Sequence, residues 1–147
     1  MRKVILASHG SLAEGMLSAA QMIIGDCSDI DVYGLDRYGQ PQVIYQHIKK
    51  QVDTHENWEF VILCDINGGS VHNQLMQLMD HENVYLVTGM TLSMVLELKL
   101  SSEDAKVRPL LNKVVNSAKE NTLIFDHDSV VSEIAKGYYQ WKISGGG

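Results

Sequence analysis

Glu59-Phe60-Val61-Ile62-Leu63-Cys64-Asp65-Ile66-Asn67-Gly68-Gly69-Ser70 is the stretch on which the fold turns. Apolar side chains run without interruption from Phe60 to Cys64, so the segment has no polar face and reads as a strand buried on both sides. Such strands belong to sheets that are covered by helices above and below and whose strands run parallel. Asp65 ends the run, Gly68 and Gly69 permit a tight turn, and Ser70 is placed to cap a helix carrying Leu75, Leu78 and Met79.

The same alternation of short apolar runs and longer amphipathic ones extends in both directions. Residues 3–7 form a first strand and residues 12–24 a helix with Leu17, Ala20 and Ile24 on one face and Gly25 as its stop. Residues 30–34 form a second strand. Pro41 then opens a helix on which Ile44, Ile48 and Val52 recur every fourth position. Downstream of the third strand, residues 83–88 supply a fourth.

Residues 91–100 carry two patterns at once. Leu92, Met94, Leu96, Leu98 and Leu100 alternate as in a strand, yet the β-α rhythm and the Leu, Met and Glu content favour a helix, which is the assignment made. Behind Pro109, Leu110, Leu111, Val114, Val115 and Ala118 trace another helix. Residues 122–125 read as a last short strand and residues 129–139 as a final helix. The expected architecture is a doubly wound, mostly parallel α/β sheet of order 2-1-3-4 with helices on both faces. It forms a single domain over residues 1–141, followed by a flexible tail, 142–147.

Composition narrows the partners. A chain of 147 residues, 45% hydrophobic, fits one core of ordinary size. No segment approaches the roughly 18 consecutive apolar residues of a membrane span. The apolar run after Met1-Arg2-Lys3 is cut off by Ser8-His9-Gly10-Ser11 too early for a signal peptide. Net charge is −6, and the 12 Lys and Arg are scattered rather than gathered into a stripe that could neutralise phosphates, so nucleic acid is not an expected partner. Cys27 and Cys64 lack metal-ligand spacing and read as free thiols, which fits a reducing cytoplasm. Neither a cofactor nor a metal is expected.

In a sheet of this order, the first and third strands are neighbours at the topological switch point, where ligands bind beyond the strand ends. His9 follows the first strand and Asp65 closes the third. A neutral imidazole is a good nitrogen nucleophile, and a carboxylate bonded to one ring nitrogen fixes the tautomer that frees the other. Peptide N–H groups of Gly68, Gly69 and Ser70 at a helix start, with the Ser70 hydroxyl, would receive phosphoryl oxygens. Singly these residues have ordinary meanings: a capping His, an Asx turn, a strand-to-helix connection. The combination suits a phosphohistidine.

Ser8-His9-Gly10 with Ala13-Glu14-Gly15-Met16, followed by Asp65-x-x-Gly68-Gly69-Ser70-x-x-Asn73, resembles the mannose-type enzyme IIA domains of the bacterial phosphoenolpyruvate:sugar phosphotransferase system. The resemblance runs roughly from Val4 to Ala118, with the two motifs at the family's spacing and Thr88-Gly89-Met90 like its turn after the fourth strand. It implies that His9 takes a phosphoryl group from the phosphocarrier HPr and passes it to a histidine of enzyme IIB, with the membrane permease met only indirectly. It further implies that Asp65 orients His9, that Ser70 contacts phosphate beside the glycines, and that the phosphoryl group goes on the ring nitrogen facing away from Asp65. A homodimer is implied as well, with residues 122–125 the candidate for an exchanged edge strand.

Val71 and His72 stand where the family often has Pro and an aromatic residue. His72 is read as a polar residue in the first turn of an exposed helix and is left outside the site. The sugar is not encoded here, because a subunit of this kind meets only phosphohistidines. Two further roles use the same histidine: a regulatory protein controlled by its phosphorylation, and the phosphocarrier domain that serves dihydroxyacetone kinase, which differs around the third strand. An α/β hydrolase would need a Gly-x-Ser-x-Gly elbow, and nucleotide binders would need a P-loop or Gly-x-Gly-x-x-Gly; all three patterns are missing.

Overall fold

The apolar run from Phe60 to Cys64 lies at the interior of a parallel sheet in the computed structural model, which describes residues 1–137. In chain order the elements are β1 (Arg2–Ser8), α1 (Leu12–Ile24), β2 (Asp31–Gly34), α2 (Leu35–Tyr38), α3 (Pro41–Thr54), β3 (Glu59–Cys64) and α4 (Ser70–Leu75). A 3-10 turn (Met76–Asp80), β4 (Val84–Val87), α5 (Leu92–Leu100), α6 (Val107–Glu120) and α7 (His127–Ala135) complete the described chain. The strand order is β2-β1-β3-β4 and each pairing is parallel, the doubly wound arrangement expected.

The two-residue period of a strand divides each apolar run between two cores. Val4 and Leu6 of β1 and Val61 and Leu63 of β3 join α1, α5 and α6 on one face. Ile5, Ala7, Phe60, Ile62 and Cys64 join α3 and α4 on the other, packed against Ile44, Ile48, Val52, Val71 and Leu75. Side chains such as Phe60, Ile62 and Leu63 are fully buried, each contributing on the order of 2 kcal/mol by removal from water.

Several local readings are refined. Residues 92–100 are helical: the Thr91 hydroxyl accepts the Met94 N–H at 3.2 Å, and Leu100, which strand alternation would pair with Leu98, is exposed. Helix α4 stops at Leu75 and tightens into the 3-10 turn, whose three residues per turn shift the phase. Leu78 therefore stays buried while Met79, expected on the core face, is 38% exposed. Helix α7 starts before the expected position, because Asp126 and Ser129 form a capping box.

The fifth strand expected at residues 122–125 is not formed within this chain. The sheet of the described residues ends at β4, and so short a segment gains no ladder without an adjoining edge. Positions 138–141 of the expected domain, the end of the expected final helix and the expected tail, 142–147, lie outside the described residues. Among the described residues no helix is long and apolar enough to cross a membrane.

Candidate functional site

Register brings the ends of β1 and β3 together. Ala7 is the partner of Cys64, so His9 and Asp65 leave the sheet side by side. Ser8, the last residue of β1, is completely buried, and its hydroxyl accepts the Ala13 N–H at 2.7 Å. This satisfies an otherwise unpartnered donor in the first turn of α1, a service that the Ser11 side chain does not perform.

Asp65 grips His9 at two points through one oxygen. Its Oδ2 accepts the backbone N–H of His9 at 2.7 Å and lies 2.8 Å from ring Nδ1, while Oδ1 accepts the Ile66 N–H at 2.9 Å. A carboxylate beside Nδ1 holds the proton there and leaves a lone pair on Nε2. Burial pushes the Asp65 carboxyl up, but bonds from the His9 backbone, the His9 ring and the Ile66 backbone outweigh it and hold the group below the usual aspartate value. The Asp65 side chain is 10% exposed and that of His9 45%. The anchor is thus largely covered and the ring is half exposed to solvent.

Ser70 Oγ lies 3.1 Å from His9 Nε2. In the tautomer set by Asp65, the hydroxyl donates to the ring. Ser70 is not the cap of α4, as its position suggested, but its first helical residue; Gly69 takes the cap position. Gly69 also lets the turn approach the ring, since a Cβ there would stand 3.1 Å from His9 Cε1 and 2.6 Å from Ile66 Cγ2.

The structure brings His9, Asp65, Gly69 and Ser70 together as the sequence pattern predicts, but two of the expected backbone donors are already engaged. The Gly68 N–H donates to His72 Nδ1 at 2.9 Å, and the Gly69 N–H reaches the Ile66 carbonyl at 3.3 Å. In this conformation the glycines shape the turn, Gly68 at φ +82°, and the donor held against the ring is the Ser70 hydroxyl. The reach of His72 back to Gly68 was not foreseen. The available signal was a His at the third helical position, where a side-chain acceptor can return to an N–H before the helix.

Other reactive groups stand apart. Cys64 and Cys27 are buried and unbridged; burial, with help from the Asp65 charge, pushes the Cys64 thiol up to about 11. His55 stacks on Trp58, His47 packs against Tyr38, and His81 sits beside Asp80. Among the described residues no three His, Cys, Asp or Glu gather into a set that could hold a metal ion.

Comparison with known proteins bears on the family and the fold. The family model of the PTS system fructose IIA component matches residues 3–115. The chain is similar to the mannose/sorbose-specific IIA subunit of the phosphotransferase system from Enterococcus faecalis, at 26% identity and TM-score 0.72, over 85% of this chain and 95% of that one. It is similar to the PTS IIA protein associated with the fucose utilization operon of Streptococcus pneumoniae, at 27% identity and TM-score 0.66, over 88% and 96%. Component EIIA from Streptococcus agalactiae, at 24% identity and TM-score 0.74 over 88% and 99%, shares the fold.

Proposed function

Because the chain belongs to the PTS system fructose IIA component family, we propose that it is a cytoplasmic phosphocarrier that accepts a phosphoryl group from phospho-HPr on His9 Nε2. It then passes the group to a histidine of enzyme IIB, during the uptake of a sugar that it does not itself contact. The observation that carries this reading is the His9 ring: 45% exposed, held at Nδ1 by Asp65 at 2.8 Å, with Nε2 directed to Ser70.

Transfer is a substitution at phosphorus. The Nε2 lone pair forms the new N–P bond as the bond to the donor's histidine breaks and its electron pair returns to the donor ring. Nδ1 keeps its proton throughout. Phosphorylation places positive charge on the imidazole, and the Asp65 carboxylate beside Nδ1 stabilises it. The Ser70 hydroxyl, which donates to Nε2 in the resting ring, turns to a phosphoryl oxygen as the lone pair is consumed. Transfer to enzyme IIB runs these motions in reverse. In-line approach of two imidazoles requires an exposed acceptor rather than a deep pocket, and the exposure of His9 supports that.

A homodimer belongs to the proposal. Among the described residues strand β4 is paired on one side only, and beside it a groove of about 810 Å³ runs between β4 and α6, lined by Tyr85, Val87, Leu111 and Val115 together with Arg108 and Lys119. Leu123, Ile124 and Phe125 of a second copy, all highly exposed in the single chain, supply a strand of the apolar character that this edge requires.

The test is to incubate the protein, and a His9→Ala variant, with phosphoenolpyruvate, enzyme I and HPr, and to weigh the intact chains at neutral or alkaline pH. One acid-labile phosphoryl group on the wild-type chain and none on the variant is the expected result. An unmodified chain beside fully phosphorylated HPr would defeat the reading.

A further inference from the structure

The first turn of α4 begins without a side-chain cap, because Gly69 occupies the cap position. The glycine turn ahead of it is nonetheless fastened at two points by residues of that helix. The Gly68 N–H donates to His72 Nδ1 at 2.9 Å, and the Gly68 carbonyl accepts from Asn73 Nδ2 at 3.1 Å. These two groups belong to the peptide units on either side of the Gly68 Cα. Pinning both fixes the left-handed turn at φ +82° and with it the direction in which Gly69 and Ser70 follow.

That direction matters at the reacting ring. Gly69 is packed so closely that a Cβ would sit 3.1 Å from His9 Cε1, and Ser70 Oγ is 3.1 Å from Nε2. A turn free to rotate at Gly68 would carry both away. Such displacements of positioning groups lower the rate of a transfer without touching its chemistry.

We propose that His72 is a positioning residue for the His9 centre: as the Nε2–H tautomer it accepts the Gly68 N–H on Nδ1 and, with Asn73, holds the turn that sets Gly69 and Ser70 against the His9 ring. The proposal rests on the reading that His9 carries the phosphoryl group. It requires two imidazoles of opposite tautomer in one site. His9 bears its proton on Nδ1, facing Asp65, and His72 bears its proton on Nε2, leaving Nδ1 as an acceptor.

Two measurements test it. Long-range ¹H–¹⁵N correlation spectra of the wild-type protein at neutral pH are expected to show His72 unprotonated at Nδ1 and His9 unprotonated at Nε2. Loading from phospho-HPr is expected to fall about tenfold in His72→Phe, which keeps a ring but loses the acceptor, the equivalent of one hydrogen bond. His72→Asn, whose Oδ1 stands where Nδ1 stood, is expected to return to within about twofold of wild type and to restore the Gly68 amide resonance displaced in His72→Phe. A His72 carrying its proton on Nδ1 would overturn the proposal even if His72→Phe fails to fold. Equal loading of His72→Phe and wild type would overturn this proposal alone, whereas a wild-type chain that takes no phosphoryl group on His9 would overturn both readings.

Discussion

A single oxygen of Asp65 receives both N–H groups of His9: Oδ2 is 2.7 Å from the backbone nitrogen and 2.8 Å from ring Nδ1. The main chain and the ring of one residue are thereby referred to the same point. One contact thereby bears on both the ring's tautomer and its orientation relative to β1, while the outer nitrogen faces the Ser70 hydroxyl.

Asp65→Asn therefore creates a conflict that rotation of the amide cannot remove. Oδ2 accepts from two donors on His9 and Oδ1 accepts the Ile66 N–H, while an amide has only one acceptor oxygen. Placing its NH2 group toward His9 sets donor against donor, or reverses the ring tautomer; placing it toward Ile66 leaves that N–H unsatisfied. Loading of His9 from phospho-HPr is expected to slow by about a hundredfold or more, as for other imidazoles deprived of an orienting carboxylate. The check is rapid quenching followed by intact-mass measurement.

The same carboxylate makes stability depend on acid. Its folded pKa lies below its ordinary value: burial acts upward, and the bonds from His9 and Ile66 outweigh it. A group depressed in this sense contributes stability above its unfolded pKa, about 3.9, and loses that contribution as pH falls through the folded value. Asp65→Asn is thus expected to melt below wild type from neutral pH down to about pH 4, with the gap closing in stronger acid. A gap that stays constant between pH 7 and pH 3 would contradict this account.

Gly69→Ala is expected to separate an effect on phosphoryl loading from an effect on folding. The Gly69 backbone, at φ −73° and ψ 169°, suits any residue, so Gly69→Ala strains no dihedral. The added methyl meets Ile66 Cγ2, which can swing outward because Ile66 is 58% exposed, and His9 Cε1 at 3.1 Å, which cannot yield without disturbing the contact with Asp65. Stability is expected to change by about 0.5 kcal/mol or less, while the loading rate falls about tenfold. Denaturant titration and the loading assay on one preparation distinguish the two effects.

Where pattern and physics coincide, the sequence was legible. The buried strands, their parallel order and the meeting of His9 with Asp65 all follow from continuous apolar runs and from the neighbouring ends of β1 and β3. Features set by side-chain hydrogen bonding rather than by periodicity were not legible. Ser70 looked like a cap and turned out to be a helical residue whose hydroxyl faces His9, because Gly69 serves as the cap. The Gly68 N–H looked available and was taken by His72, a bond that depends on one rotamer. Met79 reads with Leu75 and Leu78 as an apolar position of one helix, and the 3-10 turn leaves it 38% exposed. The four-residue helix α2 is too short to leave any periodic trace.

Gly34, at the end of β2, gives a prediction about stability. A Cβ there would contact both carboxylate oxygens of Glu14, Oε1 at 2.6 Å, and would stand 2.5 Å from the Gly10 carbonyl oxygen. The Glu14 oxygens are buried and have no hydrogen-bond partner among the described residues, but their side chain can turn away. The Gly10 carbonyl belongs to the backbone beside His9 and accepts the Asp36 N–H, so it cannot move alone. Gly34→Ala is expected to destabilise the fold by about 2 kcal/mol. Adding Glu14→Ala should recover only part of that loss, and thermal melts of the single and double variants give the comparison.

The edge of β4 supplies the last prediction. Among the described residues β4 has an open edge, which with apolar residues on the adjoining groove invites another strand, and Leu123 and Ile124 stand 62% and 89% exposed. Within one chain this segment forms no strand, and cover by another copy would account for the exposure of Leu123 and Ile124. The wild-type protein is expected to have the molar mass of a dimer by light scattering after size exclusion. Ile124→Asp should shift it to monomer, because a carboxylate set against Leu111 and Val115 would lose hydration that the isoleucine never needed. The variant's melting curve should remain cooperative, since at 89% exposure Ile124 contributes little to the fold of a single chain. A wild-type monomer at micromolar concentration would remove strand exchange from the account and leave the His9 chemistry untouched, because none of the groups around that ring come from residues 122–125.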